Sequence, residues 1–315
     1  MTVNNIIIDT DAGIDDAIAL IMGFNHPDTE VIGITTVSGN VGVDQVVRNV
    51  QIVLNTLKQK VPVFRGSSRP LFREPVYSQE LMGEDGLGNA SHLYPILTDH
   101  IPDEAGALAL VRMINDEKRS GPLTLIALGP LTNLAIAVRL DPRIVSAIDS
   151  LVVMGGAMEA RGNITPAAEF NFFADPEAAS IIFNAGFKNI QVVPWETSIR
   201  AMIQWKDYNN LVIINTQLSD LFYNITKILR VNLEKMNLPG MPLPDCVAIA
   251  CALDSSIIIK QECVPIDIET QGVYGRGLMA VDWQRTIHIE PNAHLITEIN
   301  QDIFQALLQR SLQSL

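Results

Sequence analysis

The chain alternates short, wholly apolar runs with longer amphipathic segments, and this pattern predicts an α/β fold. Buried strands are predicted at residues 6–8, 30–37, 61–64, 123–128, 151–157 and 190–194. Helices are predicted at residues 17–22, 43–60, 104–117, 176–185, 204–236 and 246–253, with a further helix opening near residue 130. We therefore expect a mainly parallel, Rossmann-like sheet flanked by helices.

The last fifty residues follow a different pattern. Segments 263–270, 278–282 and 286–290 alternate apolar and polar residues, which predicts a small β elaboration near the C-terminus before a closing helix at 302–312. No repeat, low-complexity tract or linker divides the chain, so we expect residues 1–315 to form a single catalytic domain. Residues 66–102 lack periodicity and are rich in glycine and proline, and loops this long within compact domains are commonly functional.

Composition and charge exclude several classes of protein. The chain is 48% hydrophobic with a net charge of −13, which suits a large core and argues against a nucleic-acid binder, since such proteins need a basic face. No apolar run reaches the roughly 20 residues of a membrane span. The three cysteines lack the spacing of a metal site, and the N-terminus lacks a signal-peptide pattern. We expect a cytoplasmic protein with no nucleic-acid and no membrane partner.

The strongest chemical signal is the stretch DTDAGIDD at residues 9–16. It places Asp9, Asp11, Asp15 and Asp16 at the carboxyl end of the first strand, where open α/β sheets bind their ligands. Gly13 is expected to provide the sharp turn between strand and helix. Carboxylates this close raise one another's pKa, and a hard cation such as Ca²⁺ or Mg²⁺ relieves the repulsion. The stretch therefore predicts a metal site.

Three other interpretations explain less of this stretch. Asp15 and Asp16 in the first turn of a helix gain ~0.3–1 kcal/mol from the helix dipole without any ligand. An EF-hand loop is excluded because Leu20 occupies the position of its bidentate glutamate. A DxDx(T/V) phosphatase motif has Gly13 where its last residue belongs, and it leaves two of the four aspartates unused.

Further polar residues occur at positions that suit the same end of the sheet. Asn40 follows the second strand, Asn163, Glu169 and Asn171 follow the strand at 151–157, and Asp245 precedes the helix at 246–253. Turn formation by Asn40 and N-capping by Asp245 are the ordinary explanations. Capping does not prevent a carboxylate from also binding a metal, so both roles stay open for Asp245.

Together these segments resemble the inosine–uridine nucleoside hydrolase family. The motifs that carry the resemblance are, in the family's order, DTDAGIDD (9–16), TTVSGN (35–40), GPLTN (129–133), VMGG (153–156), EFN (169–171), DPEA (175–178) and Asp245. The resemblance implies the nucleoside hydrolase fold, with calcium-dependent hydrolysis of the N-glycosidic bond of ribonucleosides to ribose and free base. It also implies a homodimer or a homotetramer.

The resemblance assigns roles to individual residues. The implied Ca²⁺ ligands are Asp11, Asp16, Asp245 and the backbone carbonyl of Leu128. The implied ribose-binding residues are Asp15, Asn40, Asn163, Glu169 and Asn171, with Met154 nearby. Asp11 is also the expected catalytic base for water, and Asp9 supports the surrounding shell. These residue types suit an oxocarbenium-like transition state, because carboxylates and amides around the sugar stabilise its developing charge.

Help for the departing base is where this sequence differs from the family pattern. Many members carry one histidine directly before the late calcium-binding aspartate and another directly before a glycine-containing segment of the long loop. In this sequence those two positions are Pro244 and Met82. The histidines, which match neither position, are His26, His92, His100, His288 and His294. His92 is an alternative acid or else a surface residue. Trp195 and Tyr223 either stack on the base or pack in the core.

Two functional expectations follow from this difference. A purine can be protonated at N7 without a fixed histidine, so we expect a weak preference for purine nucleosides. The competing hypothesis is a relative that binds metal and ribose with weak or no hydrolase activity.

Overall fold

The computed structural model describes residues 4–96, 101–286 and 290–314. Their strands are β1 (Asn4–Thr10), β2 (Thr29–Thr36), β3 (Val63–Arg65), β4 (Leu123–Ala127), β5 (Ser150–Met154), β6 (Ile190–Val193), β7 (Ile203–Gln204), β8 (Gly240–Met241), β9 (Ile258–Val264), β10 (Ile266–Ile268), β11 (Met279–Val281) and β12 (Ala293–Ile299). Their helices are α1 (Ile14–Phe24), α2 (Val43–Leu57), α3 (Gln79–Met82), α4 (Gly106–Ile114), α5 (Thr132–Leu140), α6 (Ile144–Ala147), α7 (Phe170–Ala174), α8 (Pro176–Phe183), α9 (Trp195–Arg200), α10 (Trp205–Val212), α11 (Gln217–Lys235), α12 (Pro244–Leu253) and α13 (Gln301–Gln313).

A central sheet of eight strands organises the described residues, with strand order β3-β2-β1-β4-β5-β6-β12-β9. Neighbouring strands from β3 to β12 run parallel, and β9 pairs with β12 in the antiparallel direction at the edge. The chain leaves β1 toward β2 on one side and returns to β4 on the other. In open α/β sheets, ligands bind at the carboxyl ends of the strands on either side of such a reversal, which here are β1, β2 and β4. The predicted α/β class with a mainly parallel sheet is confirmed.

Both faces of the sheet are covered, which explains why its central strands are apolar throughout. Ile6 and Ile8 of β1 pack into one buried cluster with α1, α2, α11 and α12. Ile7, whose side chain points to the opposite face, packs into a second cluster with α4, α5 and α8. All three isoleucines are completely buried. β1 is therefore held from both sides, and the turn that follows it starts from a fixed point.

The C-terminal strands differ from the sequence prediction. β10 and β11 form a small two-stranded antiparallel unit, as expected for an elaboration. β9 and β12, however, extend the central sheet, and β12 was not predicted at all. β9 is an edge strand whose residues 259–261 are exposed, so it lacks the apolar run that marks a buried strand. Of the predicted segment 286–290, residues 287–289 lie outside the described residues.

The predicted helices are present but differ at their ends, and the short helices α3, α6, α7 and α9 were not predicted. α4 is shorter than the predicted 104–117, and the predicted helix 204–236 is two helices, α10 and α11. The break occurs where Asn215 adopts a φ of +64° and Thr216 caps α11, accepting a hydrogen bond from the backbone N–H of Ser219. Within the ranges that the structure describes, none of the helices combines the length and apolar character needed to cross a membrane.

Candidate active site

The turn after β1 has a strained backbone at Ala12, whose φ is +33°. Gly13 was expected to provide the unusual backbone geometry, but it has an ordinary φ of −78°. Gly13 is required for a different reason: a Cβ at this position would lie 2.6 Å from Nδ2 of Asn40. The glycine therefore allows Asn40, which follows β2, to approach the turn closely.

Asp16 receives hydrogen bonds on both carboxylate oxygens. The Thr10 hydroxyl donates to Oδ1 at 2.5 Å, and the backbone N–H of Gly13 donates to Oδ2 at 2.9 Å. The side-chain amide of Asn40 also donates to Oδ2, at 3.2 Å. This carboxylate thus fixes the first turn of α1 and joins it to the end of β2.

Asp11 has one oxygen held and one available. The backbone N–H of Asn40 donates to Oδ2 at 2.7 Å, whereas Oδ1 is buried and has no hydrogen-bond partner within the described ranges. Burial, followed by the charge of Asp16, raises the pKa of Asp11 well above its usual range. Gly39 and Gly129 enclose the carboxylate, since a Cβ on either would lie 2.1 Å or 2.9 Å from one of its oxygens.

Asp15, Asp16 and Asp245 form a buried carboxylate group. One oxygen from each lies within 4.8 Å of the others, and Asp245 reaches the group from the first turn of α12. Burial, then the charges of Asp15 and Asp16, raises the pKa of Asp245 well above its usual range. Asp11 lies outside this three-residue group, although its charge also contributes to the raised pKa of Asp245.

The buried carboxylate group fits a hard cation. In the part of the chain that the structure describes, no lysine or arginine forms an ion pair with it, and Oδ1 of Asp15 has no hydrogen-bond partner. Burying several carboxylates together without positive charge is strongly unfavourable. An oxygen-only donor set is what Ca²⁺ and Mg²⁺ prefer. The geometry and the donor chemistry therefore both suit a divalent cation.

Three predicted residues meet at the ends of β4 and β5. The side-chain amide of Asn171 donates to the carbonyl of Leu128 at 2.6 Å and lies 3.2 Å from the carbonyl of Met154. The backbone N–H of Leu128 donates to the carbonyl of Asp9 at 2.8 Å, which continues the pairing of β4 with β1. Helix α7 thus brings Asn171 across to the strand ends that carry the other two residues.

Glu169 and Asn163 anchor the start of α7. Glu169 accepts hydrogen bonds from the backbone N–H groups of Asn171, Gly156 and Phe172, at 2.8, 2.9 and 3.2 Å. Burial raises the pKa of Glu169 to about 7, even though these hydrogen bonds oppose the shift. Asn163 is exposed, and its Oδ1 accepts a hydrogen bond from the backbone N–H of Phe170. It is the one member of the predicted ribose-binding set that the structure leaves outside the buried region.

The side chains that hold Asp9 were not predicted as site residues from the sequence. Thr35 and Asn133 donate to Oδ1 of Asp9 at 2.5 and 2.7 Å, and burial raises the pKa of this carboxyl to about 7. Asn133 also donates to the carbonyl of Thr36 and accepts from the backbone N–H of Ser67. The occurrence of Asn133 in the GPLTN motif could have indicated a role in the site. An asparagine at the start of a helix is also common without any such role.

Apolar side chains occupy both positions where family members commonly carry histidine. Met82 ends α3 and packs, half-buried, against the first core cluster, and Pro244 is buried at the first residue of α12. His92 is exposed in the short 3₁₀ helix Ser91–Leu93. Trp195 is half-buried at the start of α9, and Tyr223 is 46% exposed on α11.

The other histidines lie away from these two positions. His26 follows α1, and His294 lies on β12, where it pairs with β6 and β9. His100 and His288 lie outside the described residues.

Comparison with known proteins identifies the family. A model of the inosine-uridine preferring nucleoside hydrolase family matches residues 6–306. The chain belongs to this family. The pyrimidine-specific ribonucleoside hydrolase RihA of Salmonella paratyphi B is 35% identical over 315 residues, covering 98% of both chains. RihA of Salmonella typhimurium is 35% identical over 316 residues, with the same coverage.

Solved structures agree with this assignment. An inosine-guanosine nucleoside hydrolase superposes with a TM-score of 0.92 at 29% identity, covering 99% of each chain. The plant nucleoside hydrolase PpNRh1 superposes with a TM-score of 0.89 at 29% identity, covering 98% of this chain and 99% of its own. Family membership makes this protein a hydrolase of nucleosides that cleaves the N-glycosidic bond. The family is metal-dependent, which agrees with the buried carboxylate group.

Proposed function

We propose that the chain, as one catalytic domain of residues 1–315, is a Ca²⁺-dependent ribonucleoside hydrolase that releases ribose and free base. The observation that carries the proposal is the buried group of Asp15, Asp16 and Asp245, whose oxygens lie within 4.8 Å of one another. Oxygen-only coordination suits Ca²⁺, which tolerates a larger and less regular ligand set than Mg²⁺ does. The metal ligands in this proposal are Asp11, Asp16, Asp245 and the carbonyl of Leu128. Asp16 and Asp245 belong to the buried group, and its third member, Asp15, belongs to the proposed ribose site.

Asp11 is the proposed catalytic base. Its buried Oδ1 has no hydrogen-bond partner among the described residues, so it has a lone pair that can accept a proton from water. A divalent cation held by the proposed ligands would supply Lewis acidity for the activation of water. The backbone N–H of Asn40 holds the other oxygen of Asp11, so the carboxylate has a fixed direction during proton transfer.

The proposed ribose site is the set Asp15, Asn40, Asn163, Glu169 and Asn171, with Met154 beside it. Its polar groups are largely fixed before substrate binds, because Glu169 is held by three backbone N–H groups and Asn171 by the Leu128 carbonyl. Buried carboxylates held in this way stabilise the positive charge that develops on the sugar ring as the bond to the base breaks.

For the leaving base, we propose a weak preference for purine nucleosides. The support is that Met82 is apolar and packed against the core and Pro244 is apolar and buried, so neither side chain can donate a proton to the base. Relatives of both kinds exist, since RihA is named pyrimidine-specific and the superposed structure is named an inosine-guanosine hydrolase. A purine offers N7 as a site for protonation by solvent, whereas a pyrimidine lacks this edge.

A panel of nucleosides tests the proposal. We expect chromatography to show base release from inosine, guanosine, adenosine, uridine and cytidine, with the highest kcat/KM among the purines. The matched 2′-deoxynucleosides should be poor substrates, because they lack a hydroxyl that the buried polar groups bind. Uridine cleaved as well as inosine would refute the purine preference. Binding of nucleosides without release of base would favour the alternative of a ribose-binding relative.

Location and assembly complete the proposal. A cytoplasmic location is supported by the cysteines, which are all free thiols, with Cys246 and Cys251 buried. A homodimer or homotetramer is the assembly that the family resemblance implies. Sedimentation equilibrium of the purified protein tests the assembly, and a monomer across the micromolar range would contradict it.

A further inference from the structure

Asn49 connects two segments that are distant in the sequence. It lies on α2, is completely buried, and its side-chain amide donates to the carbonyl of Ala12 at 2.9 Å and to the carbonyl of Asp85 at 2.8 Å. Its own Oδ1 accepts a hydrogen bond from Gln45 at 2.9 Å. Every polar atom of this amide is therefore used, and both of its N–H groups bind backbone outside α2.

The first of these carbonyls belongs to Ala12, the strained residue of the turn after β1. We call this turn, residues 9–16, the carboxylate turn. The N–H of Ala12 donates to the Thr10 hydroxyl at 3.0 Å, so Ala12 is held at its nitrogen by Thr10 and at its carbonyl by Asn49. A strained backbone conformation persists only where its surroundings hold it. The carbonyl of Ala12 and the N–H of Gly13 belong to the same peptide unit, and this N–H donates to Asp16. Ala12 also directly follows Asp11. Asn49 thus fixes the Ala12–Gly13 peptide unit, which orients the carboxylates of Asp11 and Asp16.

The second carbonyl belongs to the glycine-rich segment, which we define as residues 83–91. The Asp85 carboxylate accepts hydrogen bonds from the backbone N–H groups of Leu87, Asn89 and Ser91, so the segment is folded around this side chain. Gly88 has a φ of +62° and passes so close to α11 that a Cβ would lie 2.2 Å from the carbonyl of Ile225. The segment is compact, and Asn49 binds it where its internal hydrogen bonds converge.

We propose that Asn49 is a positioning residue that couples the carboxylate turn to the glycine-rich segment, so that each holds the other's geometry. The inference rests on the proposed metal site, because a cation bound by the carboxylates also stabilises the turn that Asn49 grips. Coupling between two sites is reciprocal. Metal binding at the turn therefore stabilises the glycine-rich segment, and loss of the Asn49 hydrogen bonds weakens metal binding.

The first test uses the unmodified protein. Hydrogen exchange of the full chain is measured by mass spectrometry after chelation and after addition of Ca²⁺. We expect slower exchange in peptides covering residues 83–91 when calcium is bound, because their N–H groups are held by the folded segment. Calcium binding by calorimetry with unchanged exchange in this segment would overturn the coupling. Absence of calcium binding would instead overturn the metal site of the proposed function.

The second test replaces Asn49. Asn49→Leu has nearly the same size and removes both hydrogen bonds, so we expect calcium affinity to fall about 5- to 100-fold, as for removal of a buried hydrogen-bond partner. Asn55→Ala is the matched control, since Asn55 also lies on α2 and donates to loop backbone, at Pro95, without contacting the carboxylate turn. It should bind calcium normally.

The coupling also predicts a change that a general loss of stability would not cause. At saturating calcium, Asn49→Leu should no longer show calcium-dependent protection of residues 83–91, while Asn55→Ala should retain it. Wild-type calcium affinity and wild-type protection in Asn49→Leu would overturn the proposal. If this variant fails to fold, the exchange measurement on the unmodified protein still decides the outcome.

Discussion

Removal of calcium should reverse the dependence of stability on pH. Burial raises the pKa of Asp9, Asp15 and Glu169 to about 7, from ordinary values of 3.8, 3.8 and 4.5. The native protein then keeps protons that the unfolded chain has already released. The stabilising effect of these protonated groups is complete below about pH 4 and is lost as the pH rises through about 7. We therefore expect the metal-free protein to become less stable between pH 5 and pH 8.

The size of this pH effect on the free energy of unfolding is best calculated for Asp9, because Asp9 is not among the proposed metal ligands. A pKa of about 7 instead of 3.8 corresponds to ~4 kcal/mol over the whole window. The slope is ~1.4 kcal/mol of unfolding free energy per pH unit for each proton concerned. Asp9→Asn keeps an oxygen that can accept the hydrogen bonds of Thr35 and Asn133 while it removes the titrating group.

Calcium should give the opposite trend. A ligand that binds only the native state stabilises it, and the proposed carboxylate ligands bind a cation only when they are deprotonated. The calcium-dependent gain in stability should therefore grow as the pH rises. At millimolar calcium, the curve between pH 5 and pH 8 should be flat or rising.

Urea unfolding followed by tryptophan fluorescence measures these slopes, in chelator and in calcium, from pH 5 to pH 8. In chelator, Asp9→Asn should show a shallower fall, by about one proton's contribution. A metal-free protein that is more stable at pH 8 than at pH 5 would refute the reasoning. Equal curves in chelator and in calcium would refute the metal site.

Three further predictions concern single substitutions. Asp16→Ala should lose the one tight calcium site per chain in calorimetry, and undiminished binding would remove Asp16 from the ligand set. Gly39→Ala should reduce kcat at least tenfold, because its Cβ would lie 2.1 Å from Oδ2 of Asp11 and displace that carboxylate. In the control Gly42→Ala, the new Cβ would have one neighbouring atom, at 4.0 Å, so kcat should stay near the wild-type value. His92→Ala should leave the pH profile of kcat/KM unchanged, because His92 is exposed, and loss of a basic-limb pKa near 6–7 would identify it as the acid instead.

The parallel core of the fold was predictable because its strands are buried on both faces. The run Ile6-Ile7-Ile8 needs apolar residues at every position, so it is visible in the sequence. β12, which lies between β6 and β9, interrupts its buried residues with polar ones and lacks a continuous apolar run. β9 was missed because it is not buried on both faces. β9 lies at the sheet edge with much of its length in contact with solvent, so its polar residues match those of a surface strand or a loop.

The carboxylates of the site were predictable from their crowding, but their supports were not. Four aspartates in eight residues are unusual enough to indicate a metal site. Asn49 and Asn133 are asparagines within helices, with no sequence motif that indicates their role. Only the three-dimensional structure shows that their side chains donate hydrogen bonds to Ala12 and Asp9. The role of Gly13 also depended on structure, since nothing in the sequence indicates the approach of Asn40.

The measurement that tests the central claim most directly is the release of ribose from a ribonucleoside by the purified protein. With inosine as substrate, reducing sugar and free hypoxanthine should form in equal amounts, cease after chelation, and resume when Ca²⁺ is restored. Asp245→Asn should retain the fold and release little of either product at the same calcium concentration. Full activity in chelator, or wild-type activity in Asp245→Asn, would contradict a reaction that depends on the buried carboxylate group.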